Sequence, residues 1–247
     1  MDLTSSIAAS RLVAQERATD LTAANIANAD TPGYKAARML FSDWLSHQDG
    51  IDTPPGGATI AYTQDRATWR DQAPGPIRHT GNPLDLAISD AGWFTVGTAR
   101  GPRLTRDGRF GLLPDGSIAN TAGDALLDTS GRPVRIATTD TRLSVAGDGT
   151  LSSENGQIAR IGVVQPQDPM KLVAEGGTLF RSDSATAPVT TPKIVQGAVE
   201  GSNVQAVTEL TRLIDDQRQF QFIAQFVQAE SDRQKDAVEK ILPPGGA

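Results

Sequence analysis

The sequence predicts an α+β protein in which an all-β central domain with several hairpins is flanked by long helices at the two termini. Two stretches, from about Leu3 to Asn28 and from about Asn203 to Leu242, contain neither Gly nor Pro, as long helices require. Between them, short β-like runs alternate with turn pairs such as Asp107-Gly108 and Asp148-Gly149. The composition agrees, because 24 Gly and 15 Pro accompany only seven Phe, three Trp and two Tyr.

The N-terminal helix, assigned to the segment 1–34, has only a thin apolar stripe. Its positions at spacings of three and four carry three large apolar side chains, which are Leu3, Ile7 and Leu21. Such a helix buries little surface by itself and needs helical neighbours. It is expected to end before Thr31-Pro32-Gly33, because proline moves the preceding residue out of the α region and glycine permits positive φ.

The middle of the chain divides into a connector and a β-rich domain. Residues 35–80 are predicted to form an extended connector with partial strand, interrupted by the Thr53–Gly57 run of Pro and Gly. Residues 81–195 are predicted to form the β-rich domain, with strands at short runs such as Trp93–Val96 and Asp-Gly pairs at the turns.

The C-terminal segment, residues 196–247, contains the longer helix. About 40 residues without Gly or Pro correspond to about 60 Å of helix, whereas an average globular helix has about 11–12 residues. Its apolar positions form two adjacent lines, which is wider than a single coiled-coil seam. The side chains of this helix that we expect to pack in an assembly are Leu210, Leu213, Ile214, Phe220, Ile223, Phe226 and Val227.

The width of this apolar surface predicts contacts between subunits. Burial of about eight large side chains at about 1.5–3 kcal/mol each would yield on the order of 10–25 kcal/mol, and the thin N-terminal stripe cannot cover them all. We therefore expect the terminal helices of many subunits to pack together, with both ends poorly ordered before assembly. The simpler alternative is that the two terminal helices pair only with each other in a monomer.

Composition and charge exclude several classes of partner. A formal net charge of −6 and a pI of about 5.0 disfavour binding to nucleic acid or to anionic lipid. No window approaches the roughly 18 apolar residues of a membrane span, and the first residues lack the basic and apolar regions of a secretory signal. The absence of cysteine excludes disulfides, thiolate metal sites and cysteine nucleophiles.

The residue patterns of known catalytic sites are missing from the sequence. Neither His47 nor His79 has a second histidine four residues away, so the helical zinc motif of metalloproteases is absent. Ser46, His47 and Asp49 are too close in sequence to form a catalytic relay. Three Asp residues of the β-rich domain, Asp107, Asp115 and Asp148, precede Gly, where we expect them to satisfy backbone groups of turns. We therefore expect no enzyme activity, no metal and no cofactor.

Three stretches of the chain carry distinctive motifs. The first is Ala24–Lys35, with two spaced asparagines and a Thr-x-Gly-aromatic-Lys turn. The second comprises Thr80–Ile88, Gly92–Phe94 and Thr105–Phe110, and the third is Gln196–Val204. The motif residues are Asn25, Asn28, Thr31, Gly33, Tyr34, Lys35, Gly81, Asn82, Leu84, Asp85, Trp93, Phe94, Ser202, Asn203 and Val204. In these three stretches the chain resembles the rod and hook proteins of the bacterial flagellar axial structure.

This resemblance implies a structural subunit of the basal-body rod, which is the drive shaft of flagellar motility. Its terminal helices would pack with those of other rod subunits and of its own copies into a tube, and the β domain would form an outer layer. The resemblance also implies passage through the flagellar export apparatus without a cleaved signal peptide, and a final place in the periplasmic rod. The short length favours a proximal-rod subunit over the hook protein.

Two alternatives remain open from the sequence. A distal-rod subunit of the same family is the close one. A monomeric β module that binds or cleaves cell-wall glycan, with the helices as an accessory, is the alternative from another functional class. A glycosidase would need two carboxylates at a suitable separation, which a sequence cannot measure.

Several motif residues have a direct physical interpretation. Asn25 and Asn28, about one turn apart, either cap or cross-link helix ends through their side-chain amides or simply end the helix. Asp85 is expected to point outward while its apolar neighbours alternate inward. Trp93 and Phe94 are expected to fill the β core, and Ser202-Asn203 to cap the N-terminus of the long helix.

Overall fold

The computed structural model describes residues 3–48 and 58–241, with side chains over residues 8–39 and 68–237. Two long helices lie near the ends of the chain, as predicted: α1 spans Leu3–Ala27 and α2 spans Ala206–Ile241. A short 3-10 helix spans Pro169–Lys171, and the Asp168 side chain caps it by accepting from the Met170 N–H.

Eighteen strands are described between the two helices. In chain order they are β1 (Ala37–Gln48), β2 (Ala58–Arg70), β3 (Ile77–His79), β4 (Leu86–Ile88), β5 (Trp93–Thr98), β6 (Gly101–Thr105), β7 (Phe110–Leu112), β8 (Ile118–Asn120), β9 (Ala125–Leu126), β10 (Ser144–Val145), β11 (Thr150–Ser153), β12 (Gly156–Arg160), β13 (Val163–Pro166), β14 (Leu172–Ala174), β15 (Leu179–Ser182), β16 (Thr186–Pro188), β17 (Ile194–Gln196) and β18 (Ala198–Glu200).

The largest sheet has nine antiparallel strands. Its main path runs β14-β15-β6-β5-β9-β8-β7, and β13 pairs with both β5 and β16. A three-stranded sheet joins β10, β11 and β12, while β4 pairs with β17 and β3 with β18. The last two pairings join strands more than a hundred residues apart, so the chain leading into α2 is held by the beginning of the β-rich region.

Aromatic and branched side chains fill two clusters on either side of β5. Phe94 is fully buried and meets Phe110 edge to face, with ring centroids 5.5 Å apart. Trp93 points to the second cluster, where its ring centroid lies 4.8 Å from that of Phe180. Alternation along a strand places neighbours on opposite faces. Both residues therefore lie in the core, as the sequence predicted.

The chain packs as two compact units, each made of separated segments. The helix unit consists of Met1–Ile26, Ala37–Trp69 and Gln205–Ala247, and it contains both helices and the two-stranded sheet β1-β2. The β unit consists of Ala27–Ala36 and Arg70–Val204. The chain therefore passes four times from one unit to the other.

The region predicted as a connector contains regular strands. Residues 35–80 include β1 and β2, which pair with each other, and the short strand β3. The sequence indicated only partial strand there, because the Pro and Gly run between the two strands obscured their length. The predicted segments 1–34, 35–80, 81–195 and 196–247 divide the chain by position, whereas the two units divide it by packing. The division into four segments stays a prediction.

Candidate functional site

The two helices contact each other through a seam that is largely polar. Asp216 on α2 is its centre: the Gln15 amide donates to its carboxylate at 2.9 Å and to its backbone carbonyl at 3.2 Å. The Thr22 hydroxyl donates to the other carboxylate oxygen at 3.1 Å. The two terminal helices therefore do contact each other within one chain, and the contacts that align them are hydrogen bonds.

The seam continues toward the start of α2 at Glu209. This carboxylate is almost fully buried and accepts from the Asn25 amide at 3.3 Å, from Arg38 at 2.7 Å and from Arg212 at 2.9 Å. Asn25 also exchanges two hydrogen bonds with the backbone of Ala37, at 2.8 and 2.9 Å. The Asn25 side chain therefore links the end of α1 to Ala37 and to the first turns of α2.

The apolar residues of α2 that lie away from this seam are exposed. Val207 is 81% exposed, Phe222 72% and Leu210 52%, and Ile214 and Phe226 are also exposed. Val207 and Ile214 each precede a seam acid, Glu209 or Asp216, by two residues, which at about 100° per residue places them on the opposite side of the helix. We call Val207, Leu210, Ile214, Phe222 and Phe226 the outer face of α2.

Apolar side chains fill part of the seam between its polar contacts. On α1, Ala8 and Ala14 are buried, and Leu21 is half-buried. On α2, Leu213, Ile223 and Val227 are half-buried. The buried side chains of α1 named here are alanines, which offer little apolar area to the larger side chains of α2.

The predicted assembly residues are divided between the two sides of α2. Leu213, Ile223 and Val227 belong to the seam, and Leu210, Ile214 and Phe226 belong to the outer face. Phe220 is 40% exposed and lines a groove of about 450 Å³ between α1 and α2. These residues were predicted to form one widened stripe, whereas in the structure some are half-buried and others are exposed on the outer face, and each predicted line contains residues of both kinds. The side chains of Leu3 and Ile7 lie outside those that the structure describes.

In the β unit, the three resembling stretches meet at one buried carboxylate. Glu200, from the C-terminal stretch, accepts from the Lys35 ammonium at 2.7 Å and from the Arg106 guanidinium at 2.9 Å. The backbone N–H of Gly75 donates to the same carboxylate at 3.0 Å. All three charged side chains are buried. We call Lys35, Arg106 and Glu200 the charge triad.

The surroundings of the charge triad hold its two cations in place. The Lys35 ammonium also donates to the Ala73 carbonyl at 2.8 Å, and burial lowers its pKa from the ordinary lysine value while Glu200 opposes the shift. Arg106 donates to the carbonyls of Ile88 and Asp90, and its guanidinium carbon lies 5.5 Å from the centroid of the Trp93 ring. The interactions fix Lys35 and Arg106 on opposite oxygens of one carboxylate.

The sequence did not single out Arg106 or Glu200 as important residues. Their partners lie 94 and 165 residues apart along the chain, so no local spacing connects them. One signal was available: Glu200 is a single charge in the otherwise apolar and small run Ala198–Gly201. A charged residue in such a strand is buried only when it is paired.

The predicted cap of α2 is wrong. Asn203 accepts from the Ala36 N–H at 2.7 Å, and its amide donates to the carbonyls of Asp71 at 2.9 Å and Ala73 at 3.0 Å. Ser202 accepts from the Val204 N–H at 3.2 Å, and α2 begins only at Ala206. Asn203 therefore links its own backbone segment to Ala36 and to the segment of Asp71 and Ala73. Because its side-chain oxygen and amide are used in these contacts, they do not cap α2. Val204 is buried against Tyr34 and Ala36.

The predicted outward orientation of Asp85 is also wrong. Asp85 is buried, and its carboxylate accepts from the Thr80 hydroxyl at 2.6 Å and from the Asn82 amide at 2.9 Å. Leu84 is only half-buried, whereas all three residues of β4 are buried. Alternation fails here because Asp85 closes the turn through its own hydrogen bonds, so the carboxylate is satisfied inside the fold.

Two glycines and one asparagine of the motifs shape turns. Gly33 has φ of 69° and donates to the Glu200 carbonyl at 2.8 Å, and a Cβ there would lie 2.2 Å from the Asp107 nitrogen. Gly81, with φ of 79°, donates to the Gly197 carbonyl at 3.1 Å. Asn28 accepts from the Thr31 hydroxyl at 3.2 Å, which closes the turn that follows α1.

Carboxylates of the β unit are engaged in their own turns. Asp107, Asp115 and Asp148 each accept from the N–H two residues ahead, at 3.0 Å in every case. This confirms the prediction that Asp before Gly serves the turn backbone at these positions. Among the described side chains, no three His, Asp or Glu residues are grouped to hold a metal ion. Neither helix, over its described residues, has the apolar stretch needed to cross a bilayer.

Comparison with known proteins matches the two ends of the chain to flagellar family models. Residues 6–35 match the model described as flagella basal body rod protein, and residues 195–239 match the C-terminal model of the flagellar basal body rod FlgEFG proteins. These ranges contain most of α1 with its turn, and β18 with most of α2. They therefore include most of the seam, the outer face and two members of the charge triad.

Individual relatives match over nearly the full length. The flagellar basal-body rod protein FlgF of Caulobacter vibrioides is 34% identical over 98% of both chains, and FlgF of Mesorhizobium japonicum is 31% identical over 95% of this chain and 96% of its own. The flagellar basal-body rod protein FlgG of Bacillus subtilis is 31% identical over 82% of this chain and 85% of its own. The chain belongs to the flagellar basal-body rod protein family.

Proposed function

We propose that the chain is a structural subunit of the proximal part of the flagellar basal-body rod and that it assembles through its terminal helices. The observation that carries this proposal is the exposed outer face of α2, opposite a seam already occupied by α1. Exposed apolar patches of this kind are typical of interaction surfaces. Because α1 covers only one side of α2, the other side is available to helices of neighbouring subunits.

The proximal position is favoured over the distal one by the relatives. FlgF of Caulobacter vibrioides is 34% identical over 98% of both chains, whereas FlgG of Agrobacterium fabrum, which covers 96% of this chain and 98% of its own, is 29% identical. A structural subunit needs no catalytic chemistry, and we propose that the chain is not an enzyme. The glycan-binding module is not favoured by any contact described above.

The proposal extends to partners and location. The chain would pack with other rod subunits and copies of itself into a helical tube, in which coiled-coil contacts join the terminal helices. It would reach the periplasmic rod through the flagellar export apparatus without a cleaved signal peptide. Its net charge of −6 supports the absence of a nucleic-acid partner.

Assembly can be tested with the full-length chain. We expect the wild type to associate with rising concentration in sedimentation velocity, and the double variant Leu210→Ser/Phe222→Ser to remain monomeric, because it loses apolar area that only a neighbour can bury. In a motile strain lacking the corresponding gene, the same variant should fail to restore swimming.

The matched control is Leu112→Ser/Met170→Ser, which removes two exposed apolar side chains of the β unit instead. It should associate and restore swimming like the wild type. Association of the outer-face variant at wild-type strength would contradict the proposal, provided that circular dichroism shows both variants folded.

A further inference from the structure

The groove between α1 and α2 combines an aromatic wall with unpaired carboxylates. It is lined by Glu16, Thr19 and Asp20 of α1 and by Gln217, Phe220 and Gln221 of α2. Glu16 and Asp20 are four residues apart and so share one face of α1. Neither carboxylate forms an ion pair within the part of the chain that the structure describes. The groove is therefore both negatively charged and partly apolar.

The outer face of α2 has the opposite character at its centre. Arg218 follows Asp216 by two residues, so it points away from the seam, and Ile214 and Phe222 lie four residues to either side of it. Over the described side chains, Arg218 has no ion-pair partner. An exposed cation thus stands between two exposed apolar side chains on a face that α1 leaves uncovered.

We propose that the outer face of one copy docks on the α1–α2 groove of a second copy, with Arg218 placed between Glu16 and Asp20 and over Phe220. This proposal rests on the proposed function and specifies its contact. An arginine suits such a groove, because its guanidinium pairs with carboxylates while its plane stacks on an aromatic ring. The apolar neighbours of Arg218 would cover the remaining apolar wall.

The groove and the outer face are formed by different residues, so one copy presents both surfaces at once. A contact between unlike surfaces does not close on itself as a two-fold dimer does, and it repeats from copy to copy into a ring or a helical array. This is the geometry that a rod requires. A second copy is the occupant because the charges of the two surfaces are complementary within this one sequence.

Charge reversal tests the contact with full-length protein. Arg218→Glu should weaken self-association by at least about tenfold, because a carboxylate would face two others, and Glu16→Arg/Asp20→Arg should do the same. An equimolar mixture of the two variants should recover association. In that mixture the carboxylate introduced at position 218 meets a basic groove, and each unaltered Arg218 meets an unaltered acidic groove.

The matched control for Arg218→Glu is Arg132→Glu, which makes the same change in net charge at an exposed residue of the β unit. It should associate like the wild type. Recovery in the mixture also shows that both variants are folded. If both variants associate like the wild type, or if the mixture stays dissociated, the proposed docking is wrong.

A cross-linking experiment gives a second readout and uses the absence of cysteine from the chain. Copies carrying Arg218→Cys mixed with copies carrying Asp20→Cys should form disulfide-linked dimers across the two chains faster than either variant alone. Equal rates in the mixture and in the separate samples would overturn the docking.

The outcomes also separate this contact from the proposed function. If Leu210→Ser/Phe222→Ser abolishes association while both charge reversals leave it unchanged, helix-mediated assembly stands and the docking of Arg218 is wrong. If the wild type remains monomeric at every concentration, both proposals fail.

Discussion

At the residue scale, Glu200 balances two buried cations with a single carboxylate. Lys35 and Arg106 approach its two oxygens at 2.7 and 2.9 Å, and all three side chains are buried. Removing a charge from water costs several kcal/mol, which only close pairing offsets. The three members are therefore unequal, because the loss of the anion leaves two cations together, whereas the loss of one cation leaves a pair.

This inequality predicts different costs for two conservative substitutions. Glu200→Gln should lower the free energy of unfolding by about 3–5 kcal/mol, since it leaves Lys35 and Arg106 buried without a counter-charge. Lys35→Met should cost only about 1–2 kcal/mol, because Glu200 keeps Arg106 and the Gly75 N–H. Urea denaturation followed by circular dichroism measures both. Equal costs, or a larger cost for Lys35→Met, would show that the triad does not act in this way.

At the scale of elements, α1 and α2 are aligned by polar contacts more than by apolar ones. Gln15 and Thr22 both donate to Asp216, and Asn25 donates to Glu209. Polar groups within a helical seam select one register at some expense of stability. The seam therefore specifies how the two helices align, while the apolar area that could hold them more strongly remains on the outer face.

The role of Asp216 in aligning the helices can be tested by comparing its substitution with that of the neighbouring Asp215. Asp216→Ala should weaken the α1–α2 contact by about 1–2 kcal/mol, because Gln15 and Thr22 lose their acceptor. Hydrogen exchange of α1 amides should accelerate by about tenfold. Asp215→Ala is the control, because Asp215 is exposed and its replacement by Ala makes the same change in helix propensity. Acceleration of the same size in both variants would contradict the assignment.

The sequence predicted the elements more completely than the contacts. Both helices follow from long stretches without Gly or Pro, and the core positions of Trp93 and Phe94 follow from a short apolar run. Asp85 was predicted wrongly because strand alternation was assumed at a residue that closes a turn. Asn203 was predicted wrongly because local propensity favours a cap, whereas its hydrogen bonds reach 130 to 167 residues away. The charge triad was missed for the same reason.

At the scale of the whole molecule, the helix unit depends on the β unit for its connectivity. Gln15 and Asp216 are 201 residues apart, and closing so long a loop costs about 5 kcal/mol in chain entropy. A folded β unit shortens that loop, since β3 pairs with β18 and Asn203 binds Ala36 next to the points where the chain leaves it. Folding of the helix unit is therefore easier once the β unit has formed.

This dependence predicts an asymmetric response to destabilisation. Glu200→Gln should accelerate hydrogen exchange in both α1 and β5, because loss of the β unit reopens the long loop. Asp216→Ala should accelerate exchange in α1 and leave β5 unchanged. Mass spectrometry of peptides from each element measures the two rates in one experiment. An effect of Asp216→Ala on β5 as large as on α1 would disprove the hierarchy.

The polar seam also affects the spacing between neighbouring subunits of an assembly. A slip of α2 along α1 by one heptad would move Arg218 by about 10.5 Å relative to Glu16 and Asp20, and it would leave Asp216 without its donors. The hydrogen bonds of the seam oppose that slip, so they hold the outer face and the groove of each copy at one constant offset along the helix axes. In the docking proposed above, that offset determines the axial rise from one subunit to the next.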